Sequence, residues 1–276
     1  MASATTYRSP MADVQPGFGA TLASEWTKLR SVRATYIETA LAILLSIGMS
    51  ALICLAIGSS WEDLSAADQA SFDPVFASFF GSVFGFIILV VMGVTFVSSE
   101  YTSGMIRLTL TTTPRRGRVI AAKALIIIAV TLVIGTIITF GSFFVGQAVL
   151  ASQDVPTTTL SDGDSLRAVI AGSLSTPLFP LLGAAFAVVL RSTASSITAI
   201  MALIFAPSIF GSLLPRWWQE NLLRYLPGFA SDRLMMTNPD TSSATYLEPG
   251  LAVVVLLAWL VGAFALAYFV ITRRDV

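Results

Sequence analysis

The chain has 276 residues, of which 55% are hydrophobic and only 12% charged, with a mean hydropathy of +0.80. Soluble domains carry roughly 25% charged residues, so this composition indicates a membrane protein. The net charge is zero, there is one cysteine and there is no histidine, which excludes an intrachain disulfide, a histidine-based metal site and a Ser-His-Asp triad.

The first segments predict a tail and a surface helix. Residues 1–16 mix Ala, Ser, Thr and Pro without periodicity, typical of a disordered cytoplasmic tail. In residues 17–34, apolar side chains recur every three or four positions from Phe18 onward and the stripe continues to Tyr36, beside basic residues. This pattern predicts an amphipathic helix lying in the membrane surface, although the segment could also be only the polar start of the first span. The candidate surface residues are Trp26, Lys28, Arg30 and Arg33.

Residues 35–276 are predicted to form an all-α domain with six transmembrane helices, since each apolar run can cross a hydrocarbon core of about 30 Å. The second span is rich in glycines that allow close helix approach, Gly81, Gly85 and Gly93. Pro177 and Pro180 predict a kink or break in the outer half of the fourth span. The predicted spans are approximately 35–57, 75–97, 119–150, 166–190, 195–214 and 249–271.

The basic residues predict the orientation of these spans, because cytoplasmic loops of membrane proteins carry an excess of Lys and Arg. With both termini in the cytoplasm, the outer side holds only Arg167, Arg216, Arg224 and Arg233. The inner side then holds Arg8, Lys28, Arg30, Arg33, Arg107, Arg115, Arg116, Arg118, Lys123, Arg191, Arg273 and Arg274.

The most informative inner segment is residues 99–123, which carries five of those basic residues and one acid, Glu100. The third helix is predicted to run from Pro114 to about Leu150. It would be longer than the membrane is thick, so that its basic first turns project into the cytoplasm. Residues 100–110 can form a short helix on which a cytoplasmic partner pushes. The arginines could equally only fix topology and contact lipid headgroups.

The spans show no ionisable residue near their centres and the chain has no phosphate-binding GxxxxGK[ST] loop. We therefore expect no ion-coupled transport, no catalysis and no ATP hydrolysis by this chain alone. Any energy for transport would have to come from a partner.

Three stretches carry a resemblance to a known family: SEWTKLRSVRATY at 24–36, SEYTSGMIRLTLTTTPRRGRVIAAK at 99–123, and LRSTASSITAI at 190–200 followed by the prolines and aromatics of 214–227. In this order they resemble the membrane subunits of bacterial ATP-binding-cassette exporters of the type-2 permease class, notably actinobacterial ones. The resemblance implies a multi-pass protein of the bacterial cytoplasmic membrane. It also implies pairing with a second permease copy, identical or different, and two cytoplasmic ATP-binding subunits that hold ATP and magnesium.

The resemblance further implies roles for segments of the chain. The N-terminal helix would be an interfacial connecting helix, residues 213–236 would form outer re-entrant helices, and residues 100–110 would contain the coupling helix. No cofactor, metal or nucleic acid is expected on this chain. The residues expected to couple to the ATPase are Glu100, Tyr101, Gly104, Met105, Arg107, Leu108, Arg115 and Arg116.

The resulting expectation is a non-catalytic permease subunit that exports an amphipathic or hydrophobic cargo, such as a drug, an antimicrobial peptide or a lipid. An aromatic route with little charge would suit such a cargo, although these rings could also be ordinary packing residues. The alternatives are a channel or facilitator without an ATPase, and a membrane enzyme such as a lipid transferase. The candidate route residues are Phe79, Phe80, Phe84, Phe140, Phe144 and Gln147.

Overall fold

The computed structural model describes residues 17–106 and 116–273, and within these ranges it contains helices and no strand. The predictions for residues 1–16, and for Arg107, Leu108 and Arg115, lie outside the described residues. Six helices are long and apolar enough to cross a membrane, which confirms the all-α, six-span fold class. They are α2 (Arg33–Ser59), α5 (Ser82–Thr102), α6 (Arg116–Ala151), the pair α7 (Gly163–Ser175) and α8 (Leu178–Leu190), α9 (Thr193–Phe210) and α12 (Pro249–Arg273).

The shorter helices lie before and between these spans. They are α1 (Phe18–Ser31), α3 (Ala66–Ala70), α4 (Pro74–Phe79), α10 (Arg216–Asn221) and α11 (Pro227–Met235), with 3-10 turns at Trp61–Asp63, Gly211–Leu213 and Leu223–Tyr225. Two of them, α10 and α11, lie in the segment for which re-entrant helices are expected. Their depth in the membrane stays a prediction.

The predicted N-terminal stripe is divided between two helices. Val32 is extended, with φ −89° and ψ 118°, so that α1 ends before it and α2 begins after it. The Tyr36 hydroxyl donates to the Arg30 carbonyl and the Thr35 hydroxyl to the Leu29 carbonyl, which fastens the start of α2 to the end of α1. The two helices can therefore take different directions, which a single continuous helix could not.

Gly81, which precedes α5, and Gly93 within it allow the close packing that the sequence predicts. A Cβ at Gly81 would overlap the backbone of Ser50 in α2, and one at Gly93 would lie 2.5 Å from the Pro180 carbonyl oxygen in α8. Because the neighbour is backbone in both places, it cannot rotate away as a side chain could. These glycines hold α5 against α2 on one side and α8 on the other.

The fourth span is broken, as its prolines predict, and the break comes at Thr176 and Pro177 in its middle. Beyond it, α8 is the most buried part of the bundle. The largest core cluster is formed by α5, α6, α8, α9 and α12 around Leu181 and Leu182.

The bundle has two ends that matter for the sites. The end of α5 at Glu100 meets α1 and the start of α6, and we call it the α1 end. The opposite end of α5 meets α4, the last turns of α9 and α11, and we call it the α11 end.

Candidate functional site

A buried cluster of four charged side chains joins three helices at the α1 end. The Lys28 amine lies 2.6 Å from Glu25 Oε1 and 2.6 Å from Glu100 Oε1. The Lys123 amine lies 2.7 Å from Glu25 Oε2 and 2.8 Å from Glu100 Oε1. Two acids and two bases thus alternate around one closed ring of contacts, with α1 contributing Glu25 and Lys28, α5 contributing Glu100 and α6 contributing Lys123.

The cluster is shielded from solvent. The side chains of Glu25, Glu100 and Lys123 are 1%, 6% and 7% exposed, whereas Lys28 keeps 26%. The Lys123 amine also lies 4.6 Å from the centre of the Phe96 ring. Burial works against the charged form of Lys28, but its hydrogen bonds to Glu100 and Glu25 outweigh that effect and raise the pKa of Lys28. We call these four residues the ion cluster.

Two of the coupling candidates, Glu100 and Tyr101, lie elsewhere than the sequence predicts. Glu100 and Tyr101 lie in the last turn of α5 rather than on a separate helix that begins at Glu100. The Glu100 carboxylate belongs to the ion cluster, and the Arg191 guanidinium lies over the Tyr101 ring at 5.7 Å. The short helix expected over 100–110 therefore does not start at residue 100.

The chain turns immediately after α5, at Gly104, whose φ of +71° belongs to the left-handed region that glycine adopts easily. Met105 follows in helical conformation and is exposed. At the far side of the segment, Arg116 opens α6 and donates from Nη1 to the Ile271 carbonyl at 2.5 Å. A coupling helix between Met105 and Arg116 stays a prediction.

The surface candidates separate into two groups. Trp26, Arg30 and Arg33 are exposed, whereas Lys28 turns into the ion cluster. The buried face of α1 is formed by Thr21, Glu25 and Leu29, three residues at a spacing of four. Sequence reasoning missed Glu25, although its four-residue spacing from the apolar Leu29 could have indicated that it lies on a packed face.

The route candidates are not brought together. Gln147 is a buried connector: its amide donates to the Pro74 carbonyl and the Ser78 hydroxyl, and its carbonyl accepts from the Thr158 backbone. Phe144 and Phe84 are exposed on the outside of their helices, and Phe140 packs against the buried cluster around Phe143.

Phe79 and Phe80 instead reach a cavity of about 320 Å³ at the α11 end, lined by α4, α5, α8, α9 and α11. Asp232 of α11 is its one ionisable lining residue among the described residues. Burial raises the pKa of Asp232 to about 6. Sequence reasoning did not single out Asp232, because an acid in an outer segment ordinarily indicates a solvated loop.

Two contacts hold the cavity wall in position. Asp73 caps α4 through Oδ1 and accepts from the Thr237 and Asn238 backbones through Oδ2. Arg167 donates to the Leu234 and Met236 carbonyls, the last acceptors of α11. Asp232 is therefore presented by a short helix that is fastened to α4 and α7.

Metal chemistry finds no support in the described residues, where no group of three His, Cys, Asp or Glu side chains could hold an ion. The buried carboxylates of the ion cluster are instead neutralised by lysines. The arrangement suits a mechanical junction at one end of the bundle and a small aromatic cavity at the other.

Comparison with known proteins adds the family. No curated protein matches the chain. The family described as ABC-2 family transporter protein matches residues 21–276, which include every element of the fold except the first turn of α1. This coverage agrees with the six spans, and the chain belongs to the ABC-2 family of transporter proteins, as a membrane subunit of an ATP-binding-cassette transporter.

Proposed function

We propose that this chain is one permease of an exporter that moves an amphipathic or hydrophobic cargo outward, driven by ATP that a separate cytoplasmic subunit hydrolyses. The proposal keeps the termini in the cytoplasm of a bacterial cell, a second permease copy beside this one, and two ATP-binding subunits below. Family membership supports the transporter part, and the ion cluster is the observation that carries the proposed mechanism.

The ion cluster is suited to transmit a push. The segment between α5 and α6 leaves α5 at Thr102, within one turn of Glu100, and enters α6 at Arg116, about two turns before Lys123. A force on that segment therefore acts on two helix ends that are joined to each other and to α1 through buried charges. Separating these helices would leave a buried charge without its partner, so we expect α1, α5 and α6 to move together.

The site that receives the push would be the segment 103–115 itself, with Met105, Arg107, Leu108 and Arg115 toward the ATPase. Its arginines would pair with carboxylates of that subunit. In this proposal Glu100 and Lys123 position the segment and do not contact the partner. That assignment differs from the expectation that Glu100 itself meets the ATPase.

Two measurements test the proposal. The first is affinity purification of the tagged chain from native membranes in mild detergent, with mass spectrometry of the proteins that co-purify. We expect a stoichiometric ATP-binding subunit. Recovery of the chain without one in several detergents, together with ATP-independent solute flux in vesicles, would favour a channel or facilitator instead.

The second measurement separates docking from transmission in the purified complex. Arg115→Glu should weaken ATPase binding, whereas Glu100→Gln should keep the subunit bound but lower ATP-driven transport relative to ATP hydrolysis. Thr111→Glu adds the same charge to the same segment without removing an arginine and serves as the control for Arg115→Glu. Equal transport per ATP in wild type and Glu100→Gln would refute the transmitting role of the ion cluster.

A further inference from the structure

The cavity at the α11 end combines aromatic walls with a carboxylate. Its walls carry aromatic rings from four different helices or their ends, and its one ionisable group among the described residues is a carboxylate. The volume of about 320 Å³ lies within the range of pockets that hold small organic molecules. The rings are those of Phe76, Phe79, Phe80, Phe86, Phe179 and Phe205.

This chemistry selects for one kind of ligand. The faces of aromatic rings attract a cation, and more strongly where water is excluded. A carboxylate in the same cavity adds a full opposite charge, while the apolar walls favour a hydrophobic body. A neutral lipid would leave the carboxylate without a partner, and an anion would be repelled.

We propose that the cavity around Asp232 binds a lipophilic organic cation, so that the cargo of the transporter is a hydrophobic or amphipathic molecule with a positive charge. This inference rests on the proposed export function and narrows its cargo class. It also assigns to Asp232 a binding role in which the carboxylate contacts the cationic centre of the ligand.

The surroundings of Asp232 leave its charge available to a ligand. The outer half of α5, the whole of α9 and α4 carry no ionisable residue, apart from Asp73 at the cap of α4, which accepts hydrogen bonds from backbone groups. Arg233, its neighbour in α11, donates to the Leu247 carbonyl and lies over the Tyr246 ring. Arg167 of α7 is bound to the end of α11 and to Asp164.

Just before α11, the Arg224 guanidinium lies over the Tyr225 ring. Burial is the cause of the raised pKa of Asp232, with no charged neighbour contributing. Above about pH 6 the side chain is ionised, and below it the proton removes the charge that attracts the cation. Binding of a cation whose own charge does not titrate should therefore weaken as the pH falls from 7.5 to 5.

The test is a direct binding measurement on the full chain in lipid nanodiscs, together with any subunit that co-purifies. Radiolabelled tetraphenylphosphonium is the cationic probe, and tetraphenylborate, of similar size and shape, is the anionic one. Empty nanodiscs give the background of membrane partitioning. We expect saturable binding of the cation above that background and none of the anion.

Asp232→Asn keeps the shape of the side chain and should raise the Kd for the cation by about tenfold or more, because it removes the Coulomb attraction of one carboxylate for the cation. It should also abolish the pH dependence. Asp240→Asn is the matched control, because Asp240 lies exposed in the same outer segment and accepts only from Ser242; it should leave the Kd unchanged. Equal binding of cation and anion, or an unchanged Kd and pH profile in Asp232→Asn, would overturn the proposal.

The assay needs neither ATP nor an ATPase, so its outcome is independent of the proposed export function. Cation binding without ATP-driven transport would leave the cavity assignment standing and remove the exporter proposal. ATP-driven transport that Asp232→Asn leaves unchanged, for a cation and for a neutral cargo alike, would keep the exporter and remove the cavity assignment.

Discussion

Removal of one amine from the ion cluster should have a large and specific effect on stability. Lys123→Met replaces the charged side chain by an apolar one of similar length and leaves Glu25 and Glu100 with Lys28 alone. At separations of 2.7 and 2.8 Å, each lost contact is worth roughly 6 kcal/mol at an effective dielectric constant near 20, before desolvation is subtracted. Breaking a buried pair has a net effect of about 3–5 kcal/mol, and we expect that loss in the free energy of unfolding.

The double variant distinguishes a coupled cluster from four independent residues. Glu100→Gln with Lys123→Met removes one acid and one base, leaving Glu25 and Lys28 as a neutral pair. The double variant should lose less free energy of unfolding than the sum of the two single variants, by about 1–3 kcal/mol. Each single change leaves an uncompensated charge, whereas the double change leaves none.

The assay is unfolding of the purified chain by increasing sodium dodecyl sulfate in mixed micelles, followed by tryptophan fluorescence. The exposed pair of Arg216 and Glu220 provides the control, and Arg216→Met should change the free energy of unfolding by less than about 1 kcal/mol. Additivity of Glu100→Gln and Lys123→Met within about 0.5 kcal/mol would refute the reasoning that these charges act as one unit.

Three further predictions concern packing, a buried amide and pH. Gly93→Val should lower the free energy of unfolding by about 1–3 kcal/mol or more, because the new Cβ would meet the Pro180 carbonyl. Gly48→Ala should leave the free energy of unfolding unchanged, because the space around Gly48 is open. The same detergent titration compares the two variants. Gln147→Leu should lower the free energy of unfolding by about 1–3 kcal/mol, because the Thr158 backbone N–H loses its acceptor, whereas the Pro74 carbonyl keeps the Ser78 hydroxyl as a donor. The same titration measures this change, and an unchanged value would exclude the connecting role. Burial raises the pKa of Asp232 from 3.8 to about 6, so the wild-type chain should lose stability as the pH rises from about 4 to 6. The loss is at most about 3 kcal/mol, and the partial solvent exposure of Asp232 makes it smaller. Asp232→Asn should abolish that loss, and thermal unfolding at pH 4 and pH 7.5 would show whether it does.

The amino-acid sequence by itself determined the broad architecture, because each apolar run is long enough to cross a membrane whatever its neighbours are. The break at Pro177 and the close contacts of Gly81 and Gly93 were also predictable, since proline lacks a backbone donor and glycine lacks a Cβ. The third helix extends over 36 residues for the same local reason: its sequence contains no helix-breaking proline after Pro114.

Only the tertiary structure decided what the charged and aromatic residues do. Glu100 and Lys28 look like surface groups in the sequence, but they contact each other across 72 residues, and Lys123 contacts Glu25 across 98. The sequence makes Gln147 a candidate route residue. In the structure it connects α4 to the chain at Thr158 through hydrogen bonds to Ser78 and to the Thr158 backbone. Asp232 shares a cavity with the phenylalanines only because the bundle brings α11 beside the helices that carry them. The spacing of residues along one helix predicts which side chains share a face, whereas contacts between distant helices depend on how the whole bundle packs.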